Sequence, residues 1–361
     1  MSVFGSPTHA CNTTLHGSRF SSHQFPVVYA VGDIHGDYEA FRACMLMTGC
    51  VEEVEQRLVW KAGATRVAVV VLGDVVDRWR RRGVAERVFM TEGGGLRSVG
   101  EVPDEESSIL AAMNLLASQA EAVQSALFRL IGNHELMQME KDEQHYAQAE
   151  FATPFAMGIV ANDSHEDRER KREVRQRDFI DGTMHDLVAD CRVKAVVQIG
   201  GTVFVHGGIN AGVLDYAQGR DLLELCNATL TERLAKGTVT PACKVLLTNA
   251  GRKRGGNSAF PGILWDDDLS DGSKSSTYAR EVLNKLNRNA PRGAVKADRI
   301  AVAHCQQSLT PITTTCEVGS VPAHVSRNDL YVRQSTLGPT PRFVAPRLKL
   351  DPGANCSLKP T

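Results

Sequence analysis

The sequence carries almost no net charge. Lys and Arg together number 41 and Asp and Glu together number 42, so the formal charge at pH 7 is -1. A balance this even provides no global electrostatic attraction to nucleic acid or to a membrane surface. We therefore expect neither a nucleic-acid partner nor a membrane partner.

Closely spaced cysteines and long apolar runs are also scarce, and we expect no secretory signal. The nine cysteines form no C-x-x-C pair and no dense cluster, which argues against a disulfide scaffold or a zinc knuckle. The first 25 residues lack the apolar segment of a secretory signal. No uninterrupted apolar run reaches the length of a membrane span. We expect a soluble protein in a reducing compartment, the cytoplasm or the nucleus.

What is present favours a large folded region between two tails. The 361 residues are 42% hydrophobic, which is enough to build a sizeable core. Residues 1–25 are rich in Ser, Thr and His and are expected to be a flexible tail, and residues 338–361 an irregular tail. The folded region is then 26–337. It contains a charged insertion at about 160–178, which is typical of a solvated helix or lid.

Apolar runs of strand length alternate with segments of helical periodicity, so the sequence predicts a layered α/β core. The predicted strands are 27–31, 67–72, 127–131, 195–199, 203–205 and 299–303. The predicted helices are 38–48, 105–123, 222–236 and 276–289. These helices would cover the sheet.

Polar side chains follow the predicted strands directly, where an α/β fold gathers its functional loops at the carboxyl ends of strands. We expect six of these residues to converge as metal ligands: Asp33, His35, Asp74, Asn133, His206 and His304. A mixture of imidazole, carboxylate and amide donors favours manganese, iron or zinc over a calcium or magnesium cage.

Single residues in these clusters have distinct chemistry. The two carboxylate oxygens of Asp74 could each bind one ion, as in two-metal hydrolases. Arg78 offers a planar donor fork that suits a phosphate oxygen, although a surface ion pair is its ordinary alternative. His134, if positioned by Asp77, could protonate a leaving oxygen as a general acid.

Four ordered motifs carry a resemblance to a known family. Gly-Asp-Ile-His-Gly (32–36), Gly-Asp-Val-Val-Asp-Arg (73–78), Gly-Asn-His-Glu (132–135) and His-Gly-Gly (206–208) look like the signature of the phosphoprotein-phosphatase family of calcineurin-like metallophosphoesterases. The longer strings at 32–41 and 132–137 are most similar to its bacterial-type, Shewanella-like branch. The resemblance implies an α/β/β/α sandwich with metal-binding loops at the strand ends.

The resemblance also implies roles for the residues that match its motifs. The centre would hold two divalent ions, most simply manganese, and Asp74 would be a ligand of both. A hydroxide that bridges the two metals would attack phosphorus directly. His134, Asp77 and Arg78 would complete the catalytic set, with Asn133 also contacting the phosphate. The ligands of the first ion would be Asp33, His35 and Asp74, and those of the second Asp74, Asn133, His206 and His304.

Three departures from the family pattern separate this chain from typical members. Trp79 replaces the usual glycine and precedes three arginines, which form either a solvated helix start or a patch for acidic substrates. Trp265 is followed by three aspartates where the Shewanella-like branch usually has an arginine, and the last metal motif reads Val-Ala-His-Cys-Gln around His304. No motif identifies a second phosphate-binding arginine, for which the candidates are Arg252, Arg254, Arg280 and Arg292.

Three functions remain open at this point. The first is a protein phosphatase that acts on phosphoserine, phosphothreonine or phosphotyrosine in a phosphoprotein or phosphopeptide. The second is a symmetrical dinucleoside polyphosphate hydrolase, which shares the metal motifs. The third is a weakly active module that binds phosphoproteins, suggested by the missing arginine and the altered last motif.

Overall fold

The fold described here is that of a computed structural model. It describes residues 15–76, 89–90, 96–97, 105–139, 164–190, 192–249, 251, 259–269, 276–304, 320–322, 331–333 and 342–345. The predicted catalytic residues Asp77 and Arg78 lie outside these ranges, as does Trp79. In the described part of the chain, no helix combines the length and the apolar character needed to cross a membrane.

The described strands form two main sheets and two small hairpins. In chain order they are β1 (Arg19–Phe20), β2 (Val27–Val31), β3 (Val51–Val54), β4 (Arg57–Trp60), β5 (Val67–Val71), β6 (Phe89–Met90), β7 (Leu96–Arg97), β8 (Ala126–Leu130), β9 (Val193–Lys194), β10 (Val196–Ile199), β11 (Thr202–Val205), β12 (Arg299–Val302), β13 (Ser320–Pro322), β14 (Tyr331–Arg333) and β15 (Arg342–Ala345). One main sheet has the order β14-β15-β2-β5-β8-β9 and the other β1-β10-β11-β12-β13.

Helices connect these strands. They are α1 (Tyr38–Met47), α2 (Glu105–Ala122), α3 (Asn133–Met139), α4 (His165–Asp181), α5 (Thr183–Val188), α6 (Ala211–Tyr216), α7 (Leu222–Lys236), α8 (Pro241–Cys243), which runs into a π-helical turn (Lys244–Thr248), and α9 (Ser276–Asn289). Side chains cap several of these helices, because Asp37, Ser164 and Asp221 each accept a hydrogen bond from a backbone N–H of the first turn. Helix α4 accounts for most of the predicted charged insertion.

The alternation of side chains along the strands separates the layers. In β5, Val69 and Val71 belong to the core cluster that contains helix residues such as Ile109 of α2. The intervening Val70 belongs to a second cluster, which also includes Phe204 of the other sheet. Successive strand residues point to opposite faces. The two sheets therefore pack against each other with helices outside, which confirms the predicted layered α/β/β/α sandwich.

The expected N-terminal tail requires a correction from residue 15 onward. Leu15, Phe20 and Phe25 are buried between the sheets, and β1 pairs in parallel with β10. The ring of Phe20 lies 4.9 Å from that of Phe128, measured between centroids. Three separated apolar residues give no periodic signal, yet each buries a large side chain against the sheets.

The expected C-terminal tail is also corrected in part, because β15 lies within 338–361 and pairs in parallel with β2. This pairing joins segments about three hundred residues apart in the chain, so it has no local sequence signal. The remaining domain boundaries stay a prediction.

Candidate metal centre

The loops that follow five strands bring the six predicted ligands together. Asp33 and His35 follow β2, Asp74 follows β5, Asn133 follows β8, His206 follows β11 and His304 follows β12. All six side chains belong to buried residues. Because the first three strands belong to one sheet and the last two to the other, the centre lies where the ends of both sheets meet.

Asp74 occupies the middle of this group. Its Oδ2 atom lies 3.3 Å from Nε2 of His206, 3.7 Å from Nε2 of His134 and 3.9 Å from Nε2 of His35. Potential ligand atoms of His35, Asp74 and His134 lie within 4.8 Å of one another, and so do those of Asp74, His206 and His304. Asp74 is therefore the member shared by two groups of metal-ligand type.

Asp33 and Asn133 complete the set. Oδ2 of Asp33 lies 3.8 Å from Nε2 of His35, and its Oδ1 accepts a hydrogen bond of 3.4 Å from the backbone N–H of His304. Oδ1 of Asn133 lies 2.9 Å from Nε2 of His206. The rings of His206 and His304 have centroids 5.1 Å apart. Each predicted ligand thus contacts at least one other, although the ligand roles themselves stay a prediction.

Backbone carbonyls orient two of the imidazoles. Nδ1 of His206 lies 2.8 Å from the carbonyl oxygen of Leu72, and Nδ1 of His35 lies 3.2 Å from that of Val76. When Nδ1 carries the proton and donates to a carbonyl, Nε2 is the nitrogen that can bind a cation. In both residues Nε2 is the atom directed toward Asp74.

Opposing effects set the protonation of this group in the absence of metal. Burial alone would raise the pKa of Asp74, but His206, His134 and His35 together hold it well below its ordinary value. Burial would lower the pKa of His206, whereas Asp74, Asp33 and the Leu72 carbonyl raise it to about 9. The buried carboxylate of Asp74 and the imidazole of His206 thus favour each other's charged form.

Strained backbone and close glycine contacts hold the ligands in place. His35, Asp74 and His304 have φ angles of 49°, 50° and 68°, in the left-handed region that glycine normally occupies. A Cβ atom built on Gly73 would lie 2.6 Å from the backbone nitrogen of Gly132, and one built on Gly132 would overlap the carboxylate of Asp74. The loops after β5 and β8 therefore meet backbone to backbone.

Glu135 has no predicted role, although it completes the Gly-Asn-His-Glu motif. Its carboxylate is buried and accepts hydrogen bonds from four backbone N–H groups: Asp74 at 3.1 Å, Val75 at 2.7 Å, Val76 at 3.1 Å and Gly132 at 2.7 Å. The sequence offers one signal for such a role: Glu135 is an acidic residue that directly follows His134, close to the end of a strand.

The segment Trp265–Asp268 packs against the second ligand group. The Trp265 ring lies 5.9 Å from that of His304. Asp266 is fully buried, accepts from the backbone N–H of Asp268 at 3.0 Å, and accepts from the amide of Asn210 at 3.2 Å. The acidic triplet thus forms a capped turn. Burial raises the pKa of Asp266 to about 7.

Four arginines are the predicted candidates for a second contact with phosphate. Arg280 and Arg292 are both exposed, and Arg252 and Arg254 lie outside the described residues. Asp77, the predicted partner of His134, also lies outside them; the contacts of His134 include Asp74 and the ring of His35, 4.9 Å away.

Comparison with known proteins adds family information to this geometry. The sequence profile of the calcineurin-like phosphoesterase family matches residues 26–234. A curated relative, Shewanella-like protein phosphatase 2 of Arabidopsis thaliana, is 31% identical over 113 residues, which cover 31% of this chain and 22% of the relative. The match thus spans about a fifth of that protein's length.

Two solved structures resemble the chain in outline. One is the cold-active protein-tyrosine phosphatase of a psychrophilic Shewanella species, with 16% identity, a TM-score of 0.46, and coverage of 82% of this chain and 71% of that one. The other, a further structure of a cold-active protein tyrosine phosphatase, has 16% identity, a TM-score of 0.46 and coverage of 82% and 70%.

Proposed function

We propose, from the premise that the chain belongs to the calcineurin-like phosphoesterase family, that it is a metal-dependent phosphoprotein phosphatase. Its substrates would be phosphoserine, phosphothreonine or phosphotyrosine monoesters in proteins or peptides. The observation that carries the proposal is the carboxylate of Asp74, which is shared by two buried groups of potential ligands. The name of the Arabidopsis relative supports a protein substrate.

The donor set fits two divalent cations. It combines imidazole nitrogens, carboxylate oxygens and an amide oxygen, and two of the imidazoles present Nε2 to Asp74. Asp33 and His35 would hold one cation and Asn133, His206 and His304 the other, with Asp74 between them. Bound there, manganese, or iron or zinc in its place, would activate water and neutralise phosphate charge.

The remaining residues would orient the ester and supply a proton. Arg78 would bind phosphate oxygens through its donor fork, and the amide of Asn133 would contact the phosphate from the other loop. His134 would carry the proton that the leaving oxygen receives when its bond to phosphorus breaks. Asp77 would keep the imidazole of His134 oriented. The protein thus contributes positioning and charge stabilisation, which phosphoryl transfer chiefly requires.

A substrate panel tests this proposal. Metal-stripped protein is reloaded with Mn²⁺ and offered p-nitrophenyl phosphate, three phosphopeptides that differ only in the phosphorylated residue, and a dinucleoside tetraphosphate. We expect metal-dependent hydrolysis with preference for a phosphopeptide. Preference for the dinucleotide would transfer the assignment to polyphosphate hydrolysis. Folded protein that binds phosphopeptides without turnover would identify a binding module.

A further inference from the structure

Glu135 joins the two loops that carry Asp74 and Asn133. Its side chain reaches back from the first turn of α3, and each of its carboxylate oxygens accepts two backbone hydrogen bonds. Oε1 accepts from Val75 and Val76, and Oε2 accepts from Asp74 and Gly132, at distances between 2.7 and 3.1 Å. Only 2% of the residue is exposed, so water does not compete for these bonds.

These hydrogen bonds fix the backbone conformation and the position of Asp74. The backbone of Asp74 has a φ angle of 50°, which is uncommon for a residue other than glycine. Glu135 binds the N–H of Asp74 and of the two residues after it. The adjacent backbone N–H of His134 donates to Oδ1 of Asp74 at 3.0 Å, so Oδ2 faces the imidazoles. Two neighbouring residues of α3 thus fix both the backbone and the side chain of Asp74.

We propose that Glu135 is a positioning residue that fixes Asp74 as the ligand shared by the two cations, and thereby sets the affinity and the spacing of the metal pair. This inference rests on the proposed function, since it assumes that the centre binds metal. Both carboxylate oxygens of Glu135 are occupied by backbone N–H groups. It acts through the backbone of the loop that follows β5.

A carboxylate is required because all four partners are donors. A glutamine at this position has one oxygen and one NH₂ group. Whichever way its amide turns, two buried N–H groups face another donor, and leaving buried donors without an acceptor is costly. An aspartate keeps both oxygens but is one methylene shorter, so it cannot reach both loops.

The test compares Mn²⁺ binding by the full chain and by the variants Glu135→Gln, Glu135→Asp and Glu121→Gln. Glu121 provides the matched control, because it lies near the end of α2, which precedes the amino end of β8, and its carboxylate pairs with Arg192 at 3.5 Å. Binding is measured by titration, and the metal pair is examined by electron paramagnetic resonance at saturating Mn²⁺, where two bridged ions give an exchange-coupled signal.

We expect both Glu135 variants to bind Mn²⁺ about 10- to 100-fold more weakly than the unmodified chain and to lose the coupled signal, whereas Glu121→Gln retains both. The test can be decided with only one of the two Glu135 variants, provided that this variant folds. If the affinity and the coupled signal of that variant equal those of the unmodified chain, the inference is overturned. It is also overturned if neither variant folds without metal, because Glu135 would then be needed for the fold itself. An unmodified chain that binds no Mn²⁺ refutes the proposed function instead.

Discussion

Oδ2 of Asp74 lies 3.3 Å from Nε2 of His206, and the two residues follow strands of different sheets. Asp74 lies in the loop after β5 of the six-stranded sheet, and His206 directly follows β11 of the five-stranded one. A cation bound between them would tie the two halves of the sandwich together. Metal content, activity and stability should therefore change together in variants of this pair.

Replacing Asp74 by asparagine should reduce metal content as well as turnover. The substitution removes the charge of the residue that the two ligand groups share among the described residues. Turnover of p-nitrophenyl phosphate should fall by at least about 100-fold, and bound manganese should fall below two equivalents by elemental analysis. Asp215→Asn, at an exposed carboxylate paired with Lys285, is the control and should change neither. A fully metallated, active Asp74→Asn protein would contradict the model.

The variant His134→Ala distinguishes between two roles of His134, general acid and metal ligand. If His134 donates a proton, the variant keeps two metal equivalents and loses about 10²- to 10⁴-fold in turnover of esters with poor leaving groups. Its Nε2 atom, however, lies 3.7 Å from Oδ2 of Asp74, within the distance range of the ligand group. Loss of a metal equivalent together with activity would show that His134 is a ligand and would refute the acid assignment.

The altered last motif makes His304 the least conventional of the six predicted ligands. We expect His304→Ala to lose one of the two manganese equivalents, because its ring packs 5.1 Å from that of His206 in the second group. His324→Ala provides a control at the other histidine late in the chain and should retain both equivalents. The reverse result would transfer the ligand role to His324.

Gly132→Ala should destabilise the protein and disturb the centre. The new methyl group would collide with the carboxylate and backbone nitrogen of Asp74 in a fully packed site. We expect a loss of about 1 to 3 kcal/mol in the free energy of unfolding, measured by urea titration, together with weaker metal binding. Gly63→Ala meets no atom within 4 Å and should be close to neutral. Equal effects of the two substitutions would exclude the close contact.

The raised pKa of the buried Asp266 carboxyl group should make the stability of the protein depend on pH. Burial raises its pKa in the folded state from 3.8 to about 7, so between these values the unfolded chain releases a proton that the folded chain keeps. The contribution of this group is therefore complete below about pH 4 and is lost as the pH rises to about 7. Asp266→Asn should remove that slope when unfolding free energies are compared in metal-free buffer. A slope unchanged from that of the unmodified chain would contradict the assignment.

The layered α/β core and the convergence of the site could be predicted from local signals, whereas the sandwich arrangement was implied by the family resemblance. Continuous apolar runs such as Val67–Val71 mark buried strands, and polar residues at their ends meet wherever parallel strands are neighbours. For the same reason Asp33 and Asp74 could be placed together without knowledge of the loops between them.

The features that could not be predicted depend on contacts between residues that are distant in the sequence. The role of Glu135 arises because two loops approach backbone to backbone, and the left-handed backbone of Asp74 is a result of that approach. The order of residues 15–25 and of β15 similarly depends on distant strands, β10 and β2. In each case tertiary packing overrides weak local preference.

The packing of residues 15–25 against the sheets affects where a recombinant fragment can begin. The family match begins at residue 26, so a recombinant fragment cut at that boundary would lack Phe20 and Phe25, whose rings pack against Phe128. It would also lack β1, which makes β10 the uncovered border of its sheet. Unpaired backbone groups along such a border recruit strands from other molecules. The shortened protein should therefore precipitate during expression even though every proposed catalytic residue is retained.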